Sequence, residues 1–513
     1  MRVVPTASKA RAVQIIWSWR GGAPDIEHLG SGHTDAEVAL LQSAAYRKIA
    51  GKDQQQLNLG LDEEPASGQA GTASAPMGSG VTITGMRMGP LIDALTRIYK
   101  ALGFDDATGD DEVFYQQVIA RLVEPTSKYD SLRVIEEIGL DPVSYATVKR
   151  RLPRYAAKEF QAGLCRALAA RADLGPHALV LFDVSTLYFE TDRADGFREP
   201  GFSKERRLEP QITIGLLTDA HGAPLMVNAF EGNKAETKTM IPMLEEFIAA
   251  HGLENITVVA DAGMVSDANR KAIIESGLNY IIGEKIPEVP YVLASWIQDH
   301  PSQAPENGLI LSTPVYDGPA GARRKAITYY QYRDGRARRS LRGIDEQVAK
   351  AEKAAAGKAA VKRNRFLSIK DETRAVDRHL EHKARTLAGW KAYITNLLPQ
   401  AATADFVIGA YHQLWHIEQA FRMSKHDLAA RPIFAYQRES IEAHLNIVVA
   451  ALAVAQRLEA ITGWSRKKFI TTARRYRQAT LNINGNHITA DPEIPEDLDE
   501  VLTSIRNATI RPD

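Results

Sequence analysis

The sequence has almost no cysteine. Cys165 is the single one in 513 residues, so an intramolecular disulfide and a multi-cysteine zinc site are both excluded, as suits a reducing compartment. Long apolar runs are missing too. The longest uncharged one, Ile447 to Ala455, is far short of the roughly 20 residues that span a bilayer. The opening MRVVPTASKA has no apolar core of signal-peptide type. These features predict a soluble cytoplasmic protein with no membrane partner. There is no excess charge of either sign, with 63 Lys+Arg against 63 Asp+Glu. A local basic patch stays open, because distribution rather than the sum governs nucleic-acid binding. Also absent are GxxxxGK[ST], a strand–GxGxxG–helix unit, GxSxG, HExxH and paired CxxC. The nucleotide-hydrolase, dinucleotide, serine-esterase and zinc-protease readings lose their main support. At 44% hydrophobic and 25% charged, the composition is globular and excludes a collagen-like, coiled-coil-only or disordered chain.

Residues 1–50 read as a small β-hairpin (11–30, turning at Gly21-Gly22) followed by a helix at 34–50. Residues 51–89 read as a flexible linker. Its Ala66–Gly80 stretch holds four Gly, four Ala and three Ser without a charge, too little apolar surface to offset ordering entropy. Residues 90–176 carry helical spacing. Within them Ser131–Ile138, the turn from Gly139 and Ser144–Leu152 read as helix, turn, helix. The second helix bears Lys149, Arg150 and Arg151; such a pair can enter a DNA groove or be an ordinary hairpin with a solvated basic end. From 177 to 283 the order is β-β-β-α-β-α-β, a mixed sheet with helices on its faces. Residues 284–400 break that pattern apart from a strand near 388–396. Between 321 and 370, fifteen Lys/Arg face four acids, a surplus of eleven positive charges. Arg336, Arg338 and Arg339 lie in this run with Tyr329, Tyr330 and Tyr332 beside them. Clustered cations are the footprint of phosphate contact, and neighbouring aromatics of base stacking. The alternative is a solvated amphipathic helix. Residues 401–460 return to helix, and 461–513 form a C-terminal tail region.

Chemistry then rests on acids. Asp183 and Asp261 each follow a buried apolar run, at the sheet edge where open α/β sheets place ligands. Taken singly, a strand-end aspartate is more often a turn or cap residue. Together, two carboxylates on neighbouring strands can share hard divalent ions such as Mg²⁺ or Mn²⁺. A third acid comes from the helix read over 402–425. At about 100° per residue, Tyr411, Trp415, Glu418, Arg422 and Lys425 fall within about 40° of one line. Leu414, Ile417, Phe421 and Leu428 form a separate apolar stripe. Glu418 is thus one acid flanked by cations and aromatics, or else one end of a surface Glu418–Arg422 pair.

Three stretches, LFDVSTLYFET (181–191), ITVVADAGMVS (256–266) and YHQLWHIEQAFRMSK (411–425), resemble a DDE transposase of a bacterial insertion sequence, of the Tyr…Glu…Lys signature type. GFSKERRLEPQITIGLLTDAHGAPL (201–225) and FEGNKAETKTM (230–240) extend the similarity, which covers most of 178–460. Leu414 stands where the signature carries an Arg; Arg422 is the candidate substitute.

The resemblance implies a ribonuclease-H-like catalytic core with an inserted basic element, preceded by a helical DNA-binding region and the small N-terminal β-hairpin element. It assigns Asp183, Asp261 and Glu418 as the catalytic and metal-holding triad for two Mg²⁺ or Mn²⁺ ions. Tyr411, Trp415, Arg422 and Lys425 become DNA contacts, beside Arg336, Arg338, Arg339, Lys149, Arg150 and Arg151 from the charge pattern. It further implies double-stranded DNA partners (inverted-repeat ends and target), a homodimer in the synaptic complex, and a bacterial cytoplasmic, nucleoid-associated protein. The expected activity is DNA cleavage with strand transfer. A metal-dependent nuclease without joining, or a catalytically silent DNA-binding derivative, are the alternatives.

Overall fold

The computed structural model describes residues 2–5, 11–20, 23–32 and 81–509, except 173, 175–177, 192, 202–208, 236–237, 252–255, 264–266, 302, 318–323, 361–362, 371–372, 432, 434 and 484–485. The chain forms two compact units, one of residues 1–84 with 479–493, the other of 85–478 with 494–513.

In the smaller unit, β1 (Arg2–Pro5), β2 (Arg11–Arg20) and β3 (Ala23–Gly32) pair antiparallel in that order. The expected hairpin is present, with β1 as an added strand. The helix expected at 34–50 and most of the expected linker lie outside the described residues. The end of that linker is corrected, because Val81–Arg87 is a strand, β4. It shares a sheet with β15 (Gln478–Ile483) and β16 (Asn486–Ala490), in the order β16-β15-β4. Its VTIT start supplies the β-branched residues that favour extended backbone. The tail region is likewise structured, since it supplies the other two strands of that sheet.

The larger unit is built on one eight-stranded mixed sheet in the order β10-β11-β14-β9-β8-β5-β6-β7. Its strands are β5 (Leu179–Tyr188), β6 (Gln211–Thr218), β7 (Pro224–Glu231), β8 (Thr257–Ala260), β9 (Asn279–Glu284), β10 (Ile310–Asp317), β11 (Arg324–Tyr332) and β14 (Trp390–Thr395). β5, β6 and β7 form an antiparallel meander; β5, β8 and β9 run parallel. This is the ribonuclease-H-like arrangement. The TVVA of β8 is buried at every position, as a parallel strand covered on both faces requires. One face packs α7 (Met240–His251) through Met240, Met243, Leu244 and Phe247, the i, i+3, i+4, i+7 set of an amphipathic helix. The other face is covered by the helices that follow residue 400.

Residues 284–400 are not a separate insertion throughout. β10, β11 and β14 extend the main sheet beyond β9. Only part of the segment stands apart, packed around Ile344, Val348, Ala351, Phe366 and Ala384. That part holds α10 (Asp334–Ala355), β12 (Leu367–Lys370), β13 (Thr373–Val376) and α11 (Arg378–Thr386). The two helices expected before the sheet are present as α4 (Ser131–Glu137) and α5 (Tyr145–Ala156). Gly139 takes φ 89°, the left-handed geometry of a helix stop. The Ser144 side chain accepts from the Thr147 N–H, a cap of about 1 kcal/mol. Upstream lie α1 (Gly89–Ala101), α2 (Phe104–Thr108) and α3 (Glu112–Val123), and α6 (Lys158–Ala169) leads into β5. α8 (Asp267–Glu275) and α9 (Tyr291–Asp299) flank β9.

The helix read over 402–425 is segmented. α12 (Ala404–His412) ends at Gln413, α13 (Leu414–Arg422) follows, and a π-helical turn takes Met423–Asp427. Then α14 (Arg438–Thr462), α15 (Arg466–Ala473) and α16 (Glu496–Ala508) complete the unit. By length and composition α14 could cross a membrane. Here it is the core helix, buried without interruption from Ala443 to Ala455.

Candidate active site on the parallel sheet edge

Leu179, Val180 and Leu181 of β5 pair in parallel with Thr257, Val258 and Val259 of β8. Two positions further along the same register stand Asp183, within β5, and Asp261, the residue just past the end of β8. Side chains alternate with period two along a strand, so Asp183 shares the face of Leu181; Asp261 meets that face through its bond to Tyr411, which packs in one cluster with Leu181 and Val259. β5 does not end at Asp183, as the apolar run suggested. Its antiparallel partner β6 holds it extended to Tyr188, while its parallel partner stops at Ala260. Asp183 therefore sits where parallel pairing gives out.

The same register continues sideways. Val259 pairs with Ile281 and Ala260 with Ile282, so Gly283 lies next to Asp261, and Gly283 pairs with Tyr393 of β14. A Cβ on Gly283 would come 2.7 Å from the Tyr411 ring, so only glycine lets that ring lie down on the sheet. Tyr411 is 6% exposed and meets Tyr393 edge-on at 5.0 Å. Its hydroxyl donates to Asp261 Oδ1 at 2.5 Å and accepts from Lys391 Nζ at 2.9 Å. Burial and the bond to Asp261 push the Tyr411 hydroxyl far above the ordinary tyrosine range. Burial lowers the Lys391 ammonium, opposed by the charges of Asp261 and Glu418. Tyr411 is thus placed as a brace of Asp261 rather than on an open DNA-facing stripe. The helix read as continuous is interrupted between Tyr411 and Glu418, at Gln413.

Across from the aspartates, α13 buries Ile417, Ala420 and Phe421 against the sheet face. Glu418, Arg422 and Trp415 are left exposed on that helix. Glu418 bears electrostatically on both Lys391 and Tyr411, which places it on the Asp261 side. Lys425, in the π turn, reaches Ser185 Oγ at 2.5 Å; Ser185 is two residues beyond Asp183 on the same face. Among the described residues no three Asp, Glu, His or Cys side chains are gathered into a metal-holding cluster. The two aspartates suit hard divalent ions in donor type and lateral register, and Glu418 stands on the helix above rather than among them. The Trp415 and His416 rings lie 3.8 Å apart and tilted by 32°, and burial lowers the imidazoles of His416 and His412.

The remaining sequence candidates divide. Lys149, Arg150 and Arg151 are exposed on α5, apart from the carboxylates, with Arg151 3.7 Å from Asp111. Arg338 and Arg339 are exposed on α10. Arg336 instead donates to the backbone oxygens of Gln331 and Gly389, each at 3.1 Å. Tyr329 and Tyr332 are buried in β11 at 4% and 9% exposure, so neither is a stacking platform for bases; Tyr330 between them is half-buried. Sequence reasoning missed Lys391, Ser185 and Gly283. A signal existed for Lys391: it is the one charge in AGWKAYITN and shares parity with Tyr393.

A family model described as Transposase DDE domain matches residues 175–454. Two solved structures show similarity. The cryo-EM structure of the piggyBac transposase synaptic complex with hairpin DNA is 12% identical, covering 82% of this chain and 73% of that one, at TM-score 0.35. The Mos1 transposase paired-end complex with the left transposon end is 13% identical, covering 50% and 69%, at TM-score 0.15. No curated protein matches.

Proposed function

This chain belongs to the DDE transposase family, and on that premise we propose that it binds the inverted-repeat ends of its own element, cleaves them and transfers the freed 3′ strand to target DNA. The observation that carries the reading is the register that brings Asp183 and Asp261 to matching positions beneath the helix bearing Glu418. Asp183 and Asp261 would hold two Mg²⁺ or Mn²⁺ ions, with Glu418 completing the set from α13. Bound there, such ions would supply Lewis acidity toward the attacking and the leaving oxygen.

The chain's own residues do the rest. Tyr411 occupies one oxygen of Asp261 and so orients the carboxylate, and Lys391 fixes the Tyr411 hydroxyl. Outer partners of this kind commonly change metal affinity or activity by about 10–100-fold. Lys425, held at Ser185 on the Asp183 face, is a compact charge suited to a phosphate. Arg422 and Trp415 lie open for the flanking DNA. The exposed cations of α5 and α10 would hold more distant backbone. A homodimer pairing two ends, acting in the bacterial cytoplasm on nucleoid DNA, completes the proposal.

The test incubates the protein with labelled DNA from the flanks of its own coding region, a target plasmid and Mg²⁺. Cleavage followed by joined products is expected. Cleavage without joining would leave a nuclease; binding without cleavage would leave a silent derivative. No sequence-selective binding at all would sink the proposal.

A further inference from the structure

Four consecutive backbone carbonyls, from Asp427 at the end of the π turn that carries Lys425 to Ala430, take hydrogen bonds from three side chains on different helices of the unit. Arg466 of α15 donates through Nη2 to the Asp427 oxygen at 2.7 Å. Arg121 of α3 donates through Nη1 to the Leu428 and Ala429 oxygens at 3.4 and 3.3 Å. His444 of α14 reaches the Ala430 oxygen through Nε2 at 3.1 Å. Arg466 also donates to the Leu122 carbonyl at the end of α3, so α3 and the turn exit share a guanidinium. Arg121 and His444 are 7% and 3% exposed. The backbone they grip is strained: Ala429 has φ +43°, a left-handed geometry that is unfavourable for a non-glycine residue and persists only where surroundings enforce it. The turn is closed from inside by Leu428 N–H to the Met423 oxygen at 2.9 Å and Ala430 N–H to the Ser424 oxygen at 2.8 Å.

The acceptors in this grip are all backbone oxygens. Cations spent on backbone oxygens within a fold are expensive to desolvate, and a hydrophobic plug would close the space as well. What the cations add is direction, since a guanidinium bonds carbonyls only at fixed angles. We propose that Arg121, supported by His444 and Arg466, is a positioning residue for Lys425. It fixes the exit of the π turn so that the ammonium stays at Ser185, and it ties the helical region before the sheet to the cationic end of the glutamate-bearing segment. The role assigned to Lys425 rests on the function proposed above; the grip on 427–430 does not.

Two measurements separate these parts. Hydrogen exchange on the free protein compares Arg121→Gln with the parent chain. Faster exchange confined to 424–430, with β5 and β8 unchanged, is expected; unchanged exchange there, or a rise spread over the whole fold, overturns the proposal without reference to catalysis. Single-turnover cleavage at saturating end DNA then tests the link. Arg121→Gln should slow cleavage by about 10–100-fold, the range for a small misplacement of a reacting group, with DNA affinity unchanged. Arg121→Lys should recover part of the rate. In a Lys425→Ala background Arg121→Gln should change the rate less than about twofold, because the two act as one unit. Independent, multiplying losses would overturn the proposal. If Arg121→Gln does not fold, Arg466→Gln, at a half-buried position, must show the same exchange pattern and the same cycle.

Discussion

The candidate site has two halves that are held in place differently. The aspartate half is set by sheet register. Asp183 and Asp261 lie at matching positions because three residue pairs upstream of them are hydrogen-bonded in parallel, and a one-residue slip would turn Asp183 to the other face. The helix half is set by long-range contacts. Glu418 and Lys425 ride on a segmented helix whose break at Gln413, π turn at 423–427 and strained exit at Ala429 are anchored by Tyr411, Arg121, His444 and Arg466. A carboxylate on a strand inherits its position from repeating backbone bonds; one on a segmented helix depends on a handful of side chains far away in sequence.

The sharpest break of that comparison removes a sheet-borne acid. Asp261→Asn should cut metal-dependent cleavage on the order of 10³-fold, the scale of losing one preorganised charged group. Its melting temperature should stay near the parent's, because Asp261 is exposed. A cleavage rate within threefold of the parent would remove Asp261 from the site.

Gly283→Ala probes the seam between the halves. Its methyl would collide with the Tyr411 ring, so a stability loss of about 1–3 kcal/mol is expected from overpacking, along with loss of the Tyr411–Asp261 bond. Chemical denaturation measures the first, and a Tyr411→Phe, Gly283→Ala double variant the second. Additive effects in that pair would mean that the ring does not transmit the strain.

The helix half should also be the pH-sensitive one. Burial, with Lys128 and Arg121 adding to it, holds the His444 imidazole well below its ordinary value. The folded state therefore carries it neutral, while the unfolded chain protonates near pH 6.5. The neutral form's stability contribution is complete above pH 6.5 and is lost as pH falls below it, by about 1.4 kcal/mol per unit. Unfolding free energies between pH 7.5 and 5 should show this slope, and His444→Gln should remove it. An unaltered slope in that variant assigns the acid sensitivity elsewhere.

Two kinds of arginine share one helix. Neutralising exposed Arg338, Arg339 and Arg342 should flatten the log–log salt dependence of DNA binding by roughly 0.9 for each phosphate that the protein no longer neutralises. Arg336→Gln should leave that slope alone and cost about 1.5–3 kcal/mol of stability, the worth of hydrogen bonds from a charged group. The reverse pattern would exchange their roles.

Much of the fold is legible in the sequence because it depends on local periodicity. The β-β-β-α-β-α-β order, the helix pair around Gly139, and the core positions Ile417 and Phe421 all follow from spacing, and the folded chain keeps that spacing; Leu428, past the π turn, is buried off that period. The charge run over 321–370 is legible only as a sum. Nothing local tells Arg336, which bonds two carbonyls, from Arg338, which faces solvent, or shows that Tyr329 and Tyr332 become interior residues of an extended sheet.

By itself, then, the sequence determined the main sheet's element order, its two aspartates and an acid on a helix between apolar and cationic stripes, since period and residue chemistry are carried by neighbours in the chain. Only the tertiary structure decided that β5 continues past Asp183, that Tyr411 turns from the open stripe to Asp261, that Lys391 joins them, and that Arg121 holds the exit of the Lys425 turn. Each of these depends on partners more than a dozen residues apart in the chain, such as the 150 positions between Tyr411 and Asp261 or the 307 between Arg121 and Leu428. Hydrogen bonds across such distances leave no period in the sequence, because the residues between them are free to vary while the fold keeps the ends together.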